Sequence, residues 1–260
     1  MLAFVVTLFA GLSTGIGSLI AIFAKKTNEK FLCISLGFSA GVMIYISFME
    51  LMPTALADFG KQFAAKPAQL YLLLSFFAGI GLIALIDLLI PSKDNPHEPH
   101  QVDEIGYSKT KALKRVGLIT ALSIAIHNFP EGIATFSATL SNPELGIPIA
   151  IAIAIHNIPE GIAVAVPIYH ATGSRKKAFW WSFLSGLSEP IGALIGYFFL
   201  MQFWSPTLNA IILAGTSGIM VYISIDELLP TAKKYGKHHH AIMGLVVGML
   251  VMAISLYLLM

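Results

Sequence analysis

Residues 41–55 read GVMIYISFMELMPTA, and residues 218–232 read GIMVYISIDELLPTA, the same pattern displaced by 177 residues. Each copy is too apolar for a solvated helix, and each carries an acidic residue just before a proline. The rest of the chain explains where such a segment can live. Of 260 residues, 56% are hydrophobic and 12% charged, with a mean hydropathy of +0.78. No ordinary soluble domain has that composition, so the chain is expected in a bilayer. Crossing about 30 Å of hydrocarbon takes roughly 20 apolar residues. Runs of that kind fall near 2–24, 31–52, 70–90, 116–140, 146–168, 178–201, 208–230 and 241–259.

The expected fold is therefore an all-α polytopic membrane protein with eight transmembrane helices, forming one domain over 1–260. The first run lacks a basic leader and a small-residue cleavage site, so it is expected to stay as a helix. The 41–55 copy belongs to the second crossing and the 218–232 copy to the seventh. Five crossings separate them, and an odd number reverses direction, so the two copies run antiparallel. That is the pattern of an inverted repeat with its axis in the membrane plane, arranged 3+2+3, with helices 4 and 5 at the centre.

The sixteen Lys and Arg residues orient the bundle. Fourteen fall in the 1–2, 3–4, 5–6 and 7–8 connections, and only Lys61 and Lys66 fall on the other side. By the positive-inside rule, both termini lie outside and the 91–115 loop is cytoplasmic. A net charge of +2 thus reports topology and gives no reason to expect nucleic acid as a partner. The single cysteine, Cys33, excludes disulfides within the chain and thiolate-rich metal sites.

Acidic residues are distributed differently from basic ones. Glu50, Asp87, Glu131, Glu160, Glu189, Asp226 and Glu227 lie within or at the ends of the apolar runs, and no basic residue does. A carboxylate at the centre of a membrane helix costs about 2.5–3.5 kcal/mol on insertion scales, so acids without bases imply a cation as the missing partner. Twelve residues separate Arg115 from His127 and Lys177 from Glu189, which is about 18 Å of helix. Both residues therefore sit near the bilayer midplane.

Helices 4 and 5 share a motif at that depth: HNFPEG at 127–132 and HNIPEG at 156–161. His127 and Glu131 are four apart and stack on one helix face, with Asn128 on the neighbouring edge. His156, Asn157 and Glu160 repeat the arrangement. Pro130 and Pro159 withhold the amide that would bond the carbonyls of Ile126 and Ile155, leaving backbone oxygen free to face a cavity. Imidazole and carboxylate without thiolate suit Zn2+, Fe2+, Co2+ or Mn2+. A lone membrane histidine commonly makes an interhelical hydrogen bond. Six polar residues repeated in register, with Glu189 at the same depth, call for more than that.

Glu50, Asp87 and Glu227 lie near helix ends, where water can reach them. By the inverted symmetry, Glu50 falls near the outer surface and Glu227 near the inner one, placed to flank the two mouths of a pathway. His238, His239 and His240, with His97 and His100, read as solvated clusters that bind metal weakly.

HNFPEG, HNIPEG and SGLSEPIG at 185–192 together resemble the ZIP family of divalent-metal transporters, in particular its bacterial ZupT-type members. The resemblance covers essentially the whole chain. It implies a secondary transporter, with no enzymatic activity and no cofactor, that imports zinc and also Fe2+, Mn2+, Co2+ or Cd2+. It further implies a homodimer in the bacterial inner membrane with a binuclear site at mid-membrane. Carried over position by position, His127, Glu131, His156 and Glu160 form the first metal position. Asn128, Asn157 and Glu189 add the second, with Glu131 and Glu160 bridging. Many family members carry other polar residues where this chain has His156 and Asn157, so metal preference does not carry over. The long histidine-rich loop of eukaryotic members is absent here.

An alternative from another class is an intramembrane zinc-dependent hydrolase, in which the metal activates water. The chain has no HExxH motif, and its inverted symmetry suits alternating access better than hydrolysis. An ATP-driven pump would need a phosphate-binding GxxxxGK[ST] loop, which is also missing.

Overall fold

The computed structural model describes residues 1–23, 29–89 and 109–259, with the side chains of 109–120 and of His127 among those left undescribed. The described residues are helical almost throughout, with no strand among them. Helix α1 is Leu2–Phe23. Helix α2 joins Glu29–Ile46, a π turn at Ser47–Leu51 and Met52–Gly60. Then come α3 (Ala65–Leu89), α4 (Lys109–Ser141) and α5 (Pro143–Thr172). Helix α6 comprises Arg175–Gly186 and Ser188–Ile195 and passes into a π turn at Gly196–Leu200. Helix α7 joins Pro206–Ile223, a π turn at Ser224–Leu228 and Leu229–Tyr235, and α8 is His238–Leu259.

Local chemistry sets these limits. Asn142 caps α5 by accepting from the Glu144 amide at 3.0 Å, and Pro143 follows at the first helical position, where its missing amide costs nothing. Gly173, at φ 62°, ends the same helix in the left-handed region. Ser174 and Ser205 cap α6 and α7 in the same way as Asn142.

Three expected boundaries need correction. The second apolar run does not end at 52, because α2 continues to Gly60 and carries Pro53 in its last segment. The fourth does not start at 116, because the helix begins at Lys109, so part of the 91–115 loop is helical. The sixth is not one continuous helix. It breaks at Leu187, since Pro190 offers no amide to the carbonyl of Gly186 and its ring crowds that oxygen. Pro130 and Pro159, by contrast, lie within unbroken helices. His97 and His100 lie outside the described residues.

Two of the three π turns, those of α2 and α7, stand 177 residues apart, the offset of the sequence repeat, and each precedes a proline, Pro53 or Pro230. A π turn adds one residue to the turn and re-aims the side chains within it. The residues so placed include Glu50 in one copy and Glu227 in the other.

Packing follows pairs. Helix α2 packs along α8, α3 along α7, α1 along α5, and α4 along both α5 and α6. Glycine makes the closest approaches. A Cβ on Gly161 would stand 2.0 Å from the Thr14 carbonyl oxygen, and one on Gly192 would stand 2.2 Å from that of Phe129. Helix backbones thus touch beside both motif helices, as small residues permit in membranes.

Six helices among the described residues are long and apolar enough to cross a bilayer, and the molecule is a multi-pass membrane protein. In the apolar window of α5, 78% of residues are buried, against 17% in α3 and 28% in α8. Helix α5 is therefore central, while α3 and α8 turn leucines and phenylalanines such as Leu74, Phe77, Leu82 and Leu250 outward. The interior holds the polar groups among an apolar core, while the outer surface is apolar, as a bilayer requires.

Candidate metal-binding site

Asn128 and Glu131 on α4, His156, Asn157 and Glu160 on α5, and Glu189 on α6 are all completely buried. Three contacts organise them. His156 Nε2 lies 3.4 Å from Glu131 Oε2, joining the two motif helices. Asn157 Nδ2 donates to Glu189 Oε1, joining α5 to α6. Ser39 of α2 lies 3.5 Å from Glu160 Oε1 and donates at 3.3 Å to the His156 carbonyl.

Glycine contacts explain why these groups meet. Gly132 follows Glu131, and a Cβ there would lie 2.1 Å from the Glu189 carbonyl oxygen. The SGLSEPIG segment is thus pressed onto the HNFPEG segment backbone to backbone. On the other side, Asn157 Nδ2 donates to the Ala10 carbonyl at 3.0 Å, so α1 closes the site behind α5.

Much of the hydrogen-bonding capacity at this centre is unused. Both side-chain polar atoms of Asn128, Glu131 Oε1, Asn157 Oδ1 and Glu189 Oε2 are buried without a hydrogen-bond partner. Native interiors pair almost all such atoms. Four buried oxygens left open on three neighbouring helices are acceptors without a donor, and a cation can serve such acceptors. Among the described residues no three His, Cys, Asp or Glu side chains stand close enough to hold one metal ion as they are. The His127 side chain lies outside those residues.

Other candidates are not drawn in. Glu50 is half-buried and Glu227 buried, each in its own π turn on α2 or α7, away from the motif helices. His238 and His239 stack edge to face at the start of α8, largely exposed.

The residues reveal partners that periodicity did not. Ser39 and the Ala10 carbonyl carry no signal in one dimension, because small and hydroxyl residues are common in membrane helices. A second buried network was also missed. Asp58 Oδ2 accepts from Asn209 Nδ2 at 2.6 Å, and Ser137 donates to Asn209 Oδ1 at 2.8 Å, while Lys61 pairs with Asp58 at 2.5 Å. These bonds tie the last segment of α2 to α7 and to α4. Ending the second run at 52 put Asp58 in a loop, which hid the network.

Comparison with known proteins follows the same lines. The family model described as ZIP Zinc transporter matches residues 90–256. A zinc transporter ZupT of Chlorobium chlorochromatii is 59% identical over 261 residues, covering 99% of this chain and 97% of the relative. One from Clostridium perfringens is 56% identical over 273 residues, covering 99% and 96%. One from Streptococcus mutans is 58% identical over 256 residues, covering 98% and 97%.

Proposed function

The chain belongs to the ZIP family of zinc transporters, and from that premise we propose that it imports divalent transition-metal ions, zinc foremost, through a site built by α4, α5 and α6. It is a transporter rather than an enzyme, and the metal is its substrate. Nothing favours the intramembrane hydrolase. The observation that carries the reading is the set of open oxygens on Asn128, Glu131, Asn157 and Glu189, fully buried with the His156–Glu131 contact between them.

In this reading the site takes two ions. His127, Glu131, His156 and Glu160 hold the first, and Asn128, Asn157 and Glu189 add the second, with Glu131 and Glu160 shared. Fe2+, Mn2+, Co2+ and Cd2+ are accepted alongside Zn2+. The chain crosses the bacterial inner membrane eight times as a 3+2+3 inverted repeat with both termini outside, and pairs as a homodimer. Support for the repeat comes from the π turns 177 residues apart and from the matched pairings of α2 with α8 and α7 with α3. Glu50 then flanks the outer mouth and Glu227 the inner one.

The test is uptake of radioactive zinc into proteoliposomes with a panel of competing ions. Saturable uptake is expected, and its absence in an intact, oriented preparation overturns the reading. The same assay examines His156. Carboxylates bind hard and borderline ions alike, while imidazole favours zinc over manganese. His156→Gln is therefore expected to lower the preference for Zn2+ over Mn2+ by about tenfold, within the 10–100-fold that changes around a metal site commonly produce. An unchanged competition profile would remove His156 from the selectivity determinant.

Protons and metal compete for the same lone pairs, since a ligating imidazole must be neutral and a ligating carboxylate ionised. Binding is thus expected to release at least about one proton per zinc and to weaken between about pH 7.5 and about pH 5.5, where imidazole changes charge. Calorimetry in buffers of different ionisation enthalpy counts the protons. Zero release with pH-independent affinity would show that these side chains do not share the ion.

A further inference from the structure

Two fully buried hydroxyls, Thr14 Oγ1 and Thr135 Oγ1, have no hydrogen-bond partner among the described residues. That departs from the rest of the molecule. Thr7, Thr139 and Thr172 each return their hydroxyl proton to the carbonyl four residues back, at 2.9, 2.7 and 2.7 Å, as do Ser47, Ser217 and Ser224. A buried threonine in a helix normally satisfies itself in this way.

Both exceptions adjoin the carboxylate centre. Thr135 is four residues beyond Glu131 on the same face of α4, about 6 Å along the axis. Thr14 is four residues beyond Ala10, whose carbonyl already accepts from Asn157. Its own carbonyl faces Gly161, next to Glu160, and its hydroxyl faces Gly186, three residues before Glu189. At that glycine a Cβ would stand 2.8 Å from Oγ1, so the bare backbone of α6 lies directly against a hydroxyl to which it gives no hydrogen bond. In the proposed topology α1 and α4 run in opposite directions. The two hydroxyls are then displaced to opposite sides of the carboxylates, Thr135 outward and Thr14 inward.

We propose that the hydroxyls of Thr135 and Thr14 are neutral oxygen ligands on the path of the divalent cation, replacing water on either side of the carboxylate site. The proposal rests on the α4–α6 site reading. A bare carboxylate cluster would hold a dehydrated ion too tightly to release it. Neutral oxygens on either side let hydration be exchanged in steps, with an oxygen donor suited to hard and borderline ions.

The test separates this role from packing. Valine matches threonine in shape and removes only the hydroxyl, and a buried hydroxyl without a partner costs stability, so a packing role predicts harmless variants. Thr135→Val and Thr14→Val, with Thr→Ser at each position and Glu131→Gln for reference, are compared in zinc uptake, zinc binding by calorimetry and thermal unfolding. Both valine variants are expected to unfold at or above the wild-type temperature while zinc uptake falls about tenfold, the low end of the effect of changes around a metal site. Loss at Thr135 should appear in the apparent KM for external zinc, and loss at Thr14 in kcat. Serine should restore both. Wild-type uptake in both valine variants, with Glu131→Gln inactive, overturns the proposal and leaves the site standing. A valine variant that melts earlier than wild type also overturns it, because the hydroxyl then has a structural partner. If Glu131→Gln transports like wild type, the site reading itself has failed.

Discussion

Glu131→Ala and Glu160→Ala are each expected to cut zinc uptake in proteoliposomes by more than about 100-fold, beyond the 10–100-fold typical of residues that only support a metal ligand. Both carboxylates are completely buried, and one oxygen of Glu131 faces His156 while the other is open. A divalent ion in a dry site depends on nearby anionic charge far more than one in water does. Removing one carboxylate leaves the ion underneutralised without disturbing the glycine contacts that hold the helices. The variants should therefore still insert and run as folded protein on size exclusion, with uptake at the level of empty liposomes. Wild-type rates in either variant would move the site elsewhere.

The second large effect concerns a residue with no polar chemistry. Gly192→Ala is expected to destabilise the protein by about 2 kcal/mol or more, in the range of overpacked cores. Its Cβ would stand 2.2 Å from the Phe129 carbonyl oxygen, and backbone has little room to yield. Gly17→Ala should behave alike, since its Cβ would meet the Ile158 carbonyl oxygen at 1.9 Å. The control is Gly81→Ala, where nothing lies within 4 Å. There the usual gain of about 0.5–1 kcal/mol for alanine over glycine in a helix should appear. Thermal unfolding in one detergent reads all three, and the opposite signs are the point. Equal effects at the three positions would mean that α1 and α6 do not press onto α5 and α4 as described.

The candidate site was legible in the sequence for an energetic reason. Acids and histidines in an apolar run are costly to insert, so each one announces itself against hydrocarbon. Glu131, Glu160 and Glu189 could be picked out by depth alone, and the four-residue spacing put Glu160 on the face of His156. Where polarity is no anomaly the same logic has nothing to act on. Asp58 lay past the expected end of its run, and Ser39, Thr14 and Thr135 looked like ordinary small residues.

By itself, the sequence determined that this is a helical membrane protein, which helices carry ligand-type side chains, and which face of each helix holds them. Composition decides the solvent, and a fixed helical period decides the face. Only the tertiary structure decided which faces meet. Ser39 reaches His156 across 117 residues, and Asn157 reaches Ala10 across 147. Such contacts depend on where glycines let two backbones touch, and on where π turns and Pro190 re-aim a helix. Those are properties of pairs of helices, and no periodicity within a single helix encodes them.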